Sequence, residues 1–285
     1  MPDTATKPPT TLDGHGPMDS FGLRPDRFDA AGQDQLVDIR DLQATLPGLT
    51  RLRDWAHEVL ALQPGEHAVD IGSGTGSEVI TFADAVGHTG SAAGVEPDPN
   101  LLAAAVARAA EARSSATFHS GDAYGIPFGS GAFDAVLCER VFQHLTAPAR
   151  AAREIARVLR PGGRAVVMDA DWGSAIVHPG DHRVVREVVD TLVSATTNPY
   201  SGRRLAGLLT AAGLEVESTG SQALIQDRSV GAGALVSRIS AMAVARRVIT
   251  ESEREKLLAD LARGAAAGDI HLSVTMFAVH VRKPA

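Results

Sequence analysis

Ala68-Val69-Asp70-Ile71-Gly72-Ser73-Gly74-Thr75-Gly76-Ser77 is the stretch that decides the fold of this 285-residue chain. A short apolar run closes on an acid, and glycines then follow at every second position. An apolar run without polar alternation suits a parallel strand buried on both faces. Glycines at this spacing suit a tight turn that brings backbone close to a ligand, because a β-carbon would intrude or forbid the backbone angles. Several nucleotide loops share the pattern, so the turn alone leaves the ligand open. The next apolar segment, Ser91-Ala92-Ala93-Gly94-Val95-Glu96, narrows the choice by ending in an acid twenty residues beyond Gly76. A carboxylate there can accept hydrogen bonds from both hydroxyls of a ribose.

Outward from this centre, helical and extended patterns alternate. Apolar spacing predicts helices over 35–46 and 52–62, then Pro64-Gly65 and a first strand over 67–71. A helix over 78–85 turns its free N-terminal amides and dipole toward the ligand. An Ala-rich helix over 101–112, strands over 117–119 and 132–138, and a helix over 149–159 follow. Pro161-Gly162-Gly163 stops that helix before a fifth strand over 164–168, which completes a doubly wound alternation. Beyond Asp169 the pattern loosens. Helices are expected over 181–195, 203–212, 232–244 and 251–266, with a sixth strand opening at 213–216 and a last strand over 272–281.

These residues carry a resemblance. The chain resembles the class I S-adenosylmethionine-dependent methyltransferases, in their ubiquinone/menaquinone-type small-molecule branch. The family motif, acid, x, Gly, x, Gly, x, Gly, stands here as Asp70, Gly72, Gly74 and Gly76. The likeness continues through Glu96, Gly121-Asp122-Ala123, Phe133-Asp134-Ala135-Val136 and Leu159-Arg160-Pro161-Gly162-Gly163, and covers roughly residues 50 to 175. It implies an α/β fold: a Rossmann-like seven-stranded sheet flanked by helices, with the last strand entering antiparallel between the fifth and sixth. A mainly helical cap is expected over it. The expected organisation is a disordered tail over 1–20, N-terminal cap helices over 21–62 and a cofactor-binding core over 63–175. Cap insertions with the sixth strand then occupy 176–270, and the final strand 271–285.

The resemblance also implies a cofactor, S-adenosylmethionine, with S-adenosylhomocysteine as product. Gly72, Gly74 and Gly76 would bring backbone against its methionyl part, with Ser73 and Thr75 supplying hydroxyls there or satisfying the turn. Asp70 resembles the acid near the methionyl amine, and Glu96 the ribose acceptor, with charge-assisted bonds. Pro97 shapes the loop along the adenine edge, and Gly121 opens the cofactor-binding motif Gly121-Asp122-Ala123. Asp122 resembles the acceptor of the adenine amine, and Ala123 the backbone donor to the ring. Glu139 and Arg140 point toward the methionyl region in the family geometry. Arg140 then pairs with the methionyl carboxylate or with the neighbouring acid, and Arg51 is a second candidate for that carboxylate.

For the reaction, His144 is the candidate base, because a near-neutral imidazole suits taking a hydroxyl or ammonium proton. Helix capping is its plain alternative. Asp169 and Asp171 are candidates for orienting the acceptor, or else tie their own loop. Trp172, Asn198, Tyr200 and Arg203 are candidate acceptor contacts, whereas His271 and His280 read as structural. No metal is expected, since the ten histidines form neither HExxH nor a close His/Asp cluster.

Composition excludes other classes. A net charge of −7, from 34 acids against 27 bases, provides no electrostatic funnel for nucleic acid. Cys138 is the single cysteine, so no intrachain disulfide forms, and its apolar run reads as a buried packing position. No signal-like or bilayer-length apolar run is seen, so a cytoplasmic protein without membrane partners is expected, as monomer or homodimer with a small-molecule acceptor. Two other readings stay open. A methyltransferase-fold cyclase would share the glycine loop while using the cofactor structurally. An NAD-dependent oxidoreductase would share the loop and the ribose acid, although no Tyr-x-x-x-Lys pair appears.

Overall fold

A computed structural model describes residues 45–226 and 232–285. The expected tail over 1–20, and the expected helix over 35–46 except its last two residues, lie outside the described residues. In chain order the elements are α1 (Pro47–Leu60), β1 (His67–Ile71), α2 (Ser77–Val86), β2 (Ser91–Glu96), α3 (Pro99–Glu111), β3 (Thr117–Ser120) and β4 (Phe133–Glu139). They continue with α4 (Pro148–Val158), β5 (Leu159–His178), α5 (His182–Ala195), α6 (Ser201–Ala211) and β6 (Glu215–Ile225). The chain closes with α7 (Ala232–Ala245), α8 (Glu251–Ala267) and β7 (His271–Arg282).

The seven strands form one sheet in the order β3-β2-β1-β4-β5-β7-β6. Strands β1 to β5 run parallel to their neighbours, and β7 inserts antiparallel to both β5 and β6. The order reverses between β1 and β4, and open α/β sheets bind ligands outside the carboxyl ends of the strands at such a switch point.

Alternation along the strands divides the core in two. Val69, Ile71, Val136, Cys138 and Val167 face α4 and α6 through Ile155, Val158, Leu205 and Leu209. Ala68, Ala135, Leu137, Val166 and Met168 pack with Leu49, Leu52, Ala56 and Leu60 of α1 and with Val79 and Phe82 of α2. Asp70 alternates with Val69 and Ile71, so it belongs to the α1/α2 face. A third apolar cluster, from α5, α7, α8 and Leu272, forms a helical cap.

The fifth strand departs from expectation. A five-residue strand over 164–168 is expected, but β5 runs from Leu159 to His178 because β7 stays beside it well past the other strands. Glu139, the last residue of β4, faces Met168, so everything in β5 beyond Met168 forms an arm outside the parallel sheet. Asp169 to Gly173 therefore lies in strand, where a loop is expected.

Candidate active site

The glycine loop is built as its composition requires. Gly72, Gly74 and Gly76 have φ of 75°, 54° and 84°, which L-residues avoid by about 1–2 kcal/mol. A β-carbon on Gly72 would overlap Val141, and one on Gly76 would come within 2.6 Å of Phe118 Cζ. Gly72 and Ser73 donate their N–H groups to Val95 O at 2.8 and 3.1 Å, laying the loop on the end of β2. Gly76 N-caps α2 without any side-chain cap, so first-turn amides and the helix dipole are presented at the loop.

Glu96 is buried at the end of β2. Its Oε2 accepts the Gly74 N–H at 2.9 Å and its Oε1 the Asp98 N–H at 3.1 Å. The carboxylate is thus held by the glycine loop on one side and by the start of α3 on the other. Asp98 caps α3, accepting from Asn100 and Leu101. Pro97 is exposed between them.

Asp70 is buried, and its Oδ1 has no hydrogen-bond partner; nor does Ser73 Oγ. Burial first, and then the negative charges of Glu78 and Glu139, push the Asp70 carboxyl well above the ordinary range, against the pull of Arg53. Arg53 is one of the two arginines of this cluster. It makes a bidentate pair with Glu139 at 2.6 and 2.9 Å and lies 3.3 Å from Glu78. His57 meets Glu78 at 2.7 Å. Burial works to raise the Glu139 carboxyl, but Arg140 and Arg53 outweigh it and leave it below the usual range. Arg140 donates to Glu139 at 3.1 Å. Its φ of 56° is a non-glycine outlier at the carboxyl end of β4, the sort of stored strain that gathers at functional sites.

Arg51 is not brought to this cluster. It is exposed, and its Nε donates to Gln222 of β6 at 3.3 Å. A helix turns about 100° per residue, so Arg51 and Arg53 point to different sides. Arg53 stands four residues after Leu49 and three before Ala56, flanking the buried stripe of α1. That register was the signal available in the sequence. Nothing local marked His57 or Glu78.

On the adenine side, Gly121 lies after β3, where a β-carbon would come within 3.1 Å of Val95 and Pro127. Asp122 Oδ1 accepts the Tyr124 and Gly125 N–H groups at 2.8 and 3.0 Å, forming the turn, and Ala123 is buried beside it. Thr75 accepts from Arg108 at 2.8 Å.

The proposed acceptor residues separate into groups. His144 is exposed at the end of a short turn, Phe142–His144, that follows β4. Asp169 and Asp171 are fully buried in the β5 arm and take structural partners. Asp169 accepts the N–H groups of Gln143 and Ala170, each at 2.7 Å. Burial pushes its carboxyl up to about 7, opposed by those amides and by Arg140. Asp171 accepts from both Nε and Nη2 of Arg203 and from the Gly173 N–H. Asn198 donates to the carbonyls of Phe142 and Leu145, clamping the His144 turn. Arg203 also stacks on the exposed Tyr200 ring, 4.9 Å from its centroid. Trp172 donates from Nε1 to Gln143 Oε1 at 2.8 Å. Gln143, missed in the sequence, thereby joins the turn after β4 to the arm of β5. Cys138 is buried, and burial raises its thiol, as suits a packing position.

The residues fit an adenosyl cofactor with an amino-acid end. Asp70, just before the glycine loop, and Ser73, within it, carry a buried carboxylate oxygen and a buried hydroxyl without partners, and a pinned acid closes the next strand. Among the described residues, no cluster of three or more His, Cys, Asp or Glu is placed to hold a metal, and no helix is long and apolar enough to cross a membrane.

Comparison with known proteins agrees with this geometry. Residues 69–167 match the family model described as a methyltransferase domain. An uncharacterized 37.1 kDa protein in a Streptomyces fradiae transposon is 34% identical over 193 residues, covering 66% of this chain and 54% of that one. A demethylmenaquinone methyltransferase of Bacillus licheniformis is 31% identical over 117 residues, covering 41% and 50%. Among solved structures, the [4+2]-cyclase SpnF matches with a TM-score of 0.53 at 24% identity, over 82% of this chain and 80% of that one. A SAM-dependent methyltransferase from Aquifex aeolicus matches with 0.53 at 15% identity, over 90% and 99%. The chain spans about half the length of the curated relatives it matches. The glycine loop and the reversed sheet order accompany the match of residues 69–167 to a methyltransferase domain, and demethylmenaquinone methyltransferases are among the relatives this chain resembles.

Proposed function

We propose that this protein transfers a methyl group from S-adenosylmethionine to a small-molecule acceptor, leaving S-adenosylhomocysteine. The observation that carries this is the Glu96 carboxylate, fixed by amides of the glycine loop and of α3. A carboxylate has about four acceptor sites, so pinning by two amides is compatible with receiving ribose hydroxyls. When bound, the sulfonium cofactor supplies an activated methyl group for in-line substitution.

The chain's own residues do the rest. The backbone of Gly72 to Gly76 and the Asp70 side chain hold the amino-acid end, beside the Arg53–Glu139–Arg140 array. Asp122 and Ala123 meet the adenine edge. His144 takes a proton from the acceptor, and Gln143, Asp169 and Asn198 position its turn. The acidic chain and the quinone-type relative support a small-molecule acceptor in solution.

Calorimetric titration with S-adenosylmethionine, followed by transfer of its labelled methyl group to a panel of phenolic and quinol acceptors, tests this. Binding and labelled product are expected. A retained nicotinamide chromophore would instead establish an oxidoreductase. Rearrangement of a substrate that needs the cofactor but acquires no label would establish a cyclase.

A further inference from the structure

The loop after β3 does not stay beside its own strand. In the sheet, β2 and β1 separate β3 from β4, yet this loop is tied to the chain that leaves β4. Its far part lies on α4: the Ile126 N–H donates to Glu154 at 3.0 Å, and Arg157 donates to the carbonyls of Phe128 and Ile126 at 2.7 and 2.9 Å. Its near part, which carries Asp122 and Ala123, is tied by Tyr124. The Tyr124 hydroxyl accepts the Ala147 N–H at 3.1 Å and shares a hydrogen bond with Thr146 Oγ1 at 3.3 Å. The Arg150 guanidinium lies 5.4 Å from the centroid of its ring.

These contacts fall just after the candidate base. Thr146 and Ala147 are the second and third residues beyond His144, and Ala147 is the N-cap of α4. The turn of His144 is thus held from two sides. On the arm side Asp169 takes the Gln143 N–H and Asn198 donates to Leu145 O; on the adenine side Tyr124 holds Thr146 and Ala147. At its backbone, Tyr124 donates its own N–H to Asp122 Oδ1 at 2.8 Å. A tyrosine side chain has only two torsions to absorb movement, so a short, stiff path joins Asp122 to the segment behind His144.

Coupling between two places in a protein is carried by such chains of hydrogen bonds and packed side chains. Placement matters here, because a misplacement of about 1 Å in a reacting geometry costs roughly a hundredfold in rate.

We infer that Tyr124 is a positioning residue: through its hydroxyl, the seating of adenine against Asp122 and Ala123 sets the turn that carries His144. The inference rests on the methyl-transfer reading above and deepens it, since the acceptor side is then completed by an occupied adenine site. The test uses adenosine, which lacks the amino-acid end that the glycine loop would take; Val141, three residues before His144, lies against Gly72 and would respond to that end directly. Backbone amide resonances are followed by heteronuclear NMR in the wild type, Y124F and R150A, and each protein is also titrated with S-adenosylhomocysteine. Y124F removes the hydroxyl and keeps the ring. The Ala147 amide that it frees is exposed, so water replaces the bond and the fold stands. R150A removes the cation over the ring and leaves the hydroxyl in place.

In the wild type, adenosine is expected to shift the amides of Asp122 to Gly125 and also those of His144, Thr146 and Ala147. In Y124F the first set still shifts, with adenosine affinity within about tenfold of the wild type, and the second set stays still. R150A is expected to behave as the wild type. Movement of both sets in Y124F, or of the first set alone in the wild type, overturns the inference and leaves Tyr124 a plain tie between loop and helix. Loss of the second response in R150A as well overturns the hydroxyl as the route. Binding of S-adenosylhomocysteine without that of adenosine, or without movement of Asp122 to Gly125, overturns the inference and leaves the cofactor reading standing. Binding of neither ligand overturns the cofactor reading itself.

Discussion

Glu96 shows how one carboxylate serves structure and ligand together. An alanine there removes the ribose acceptor and also strands the Gly74 and Asp98 amides that it now satisfies. Each stranded buried amide costs about 1–3 kcal/mol, and the lost charge-assisted bonds to a ribose roughly 2–3 kcal/mol of cofactor affinity. E96A is therefore expected to bind S-adenosylhomocysteine far more weakly and to exchange its Gly74 and Asp98 amide protons faster. E96Q keeps one acceptor oxygen and is expected to fall between. Wild-type affinity in a folded E96A protein would remove Glu96 from the ribose site. Asp169 makes a different prediction. Its ordinary value is 3.8 and burial raises it to about 7, so the folded protein holds a proton that the unfolded chain releases across that window. Its contribution to stability is complete below pH 3.8 and is lost as pH rises through about 7. Urea unfolding across that range should show this slope in the wild type and lose it in D169N. The variant should also be less stable throughout, because its amide NH2 meets an N–H where an acceptor stood.

At the scale of elements, the glycine loop and the β5 arm are the two pieces of shaped backbone. G72A places a β-carbon at φ 75° and against Val141. The backbone angle alone costs about 1–2 kcal/mol. G72A is expected to lose cofactor affinity and thermal stability, and G72A/V141A to regain only part of both, since the overlap is relieved and the angle is not. Full recovery in the double variant, measured by calorimetry and thermal melting, would show that contact alone constrains the loop. The arm explains why Asp169 and Asp171 hold structure rather than an exposed rim. Pairing with β7 buries them, and a buried carboxylate takes the nearest amides and guanidinium.

The whole molecule has a sheet with two packed faces and a helical cap with its own apolar cluster. Ile239 is buried in that cap, and I239A is expected to cost about 2–5 kcal/mol through lost burial and a residual cavity. Because the cap core is separate, hydrogen exchange should rise first in α5, α7 and α8, while β1 and β4 keep their protection. Uniform acceleration across the sheet would mean that cap and core unfold as one unit.

Local chemistry was enough for much of this protein. Apolar runs, helical spacing and glycines that must adopt positive φ are properties of neighbouring residues, so the sequence by itself determined β1 to β4, the helices between them and the loop beside Glu96. The last strand, over 272–281, was also legible from its β-rich composition and lies within His271–Arg282. What a residue touches across the fold was decided by tertiary structure alone. Arg53 rather than Arg51 reaches Glu139 because helix register against the sheet selects one side of α1. The length of β5 depends on a partner strand about a hundred residues away in sequence. The turn carrying His144 is positioned by Asp169 and Asn198. Such contacts join residues far apart in the chain, and no periodicity or spacing records them.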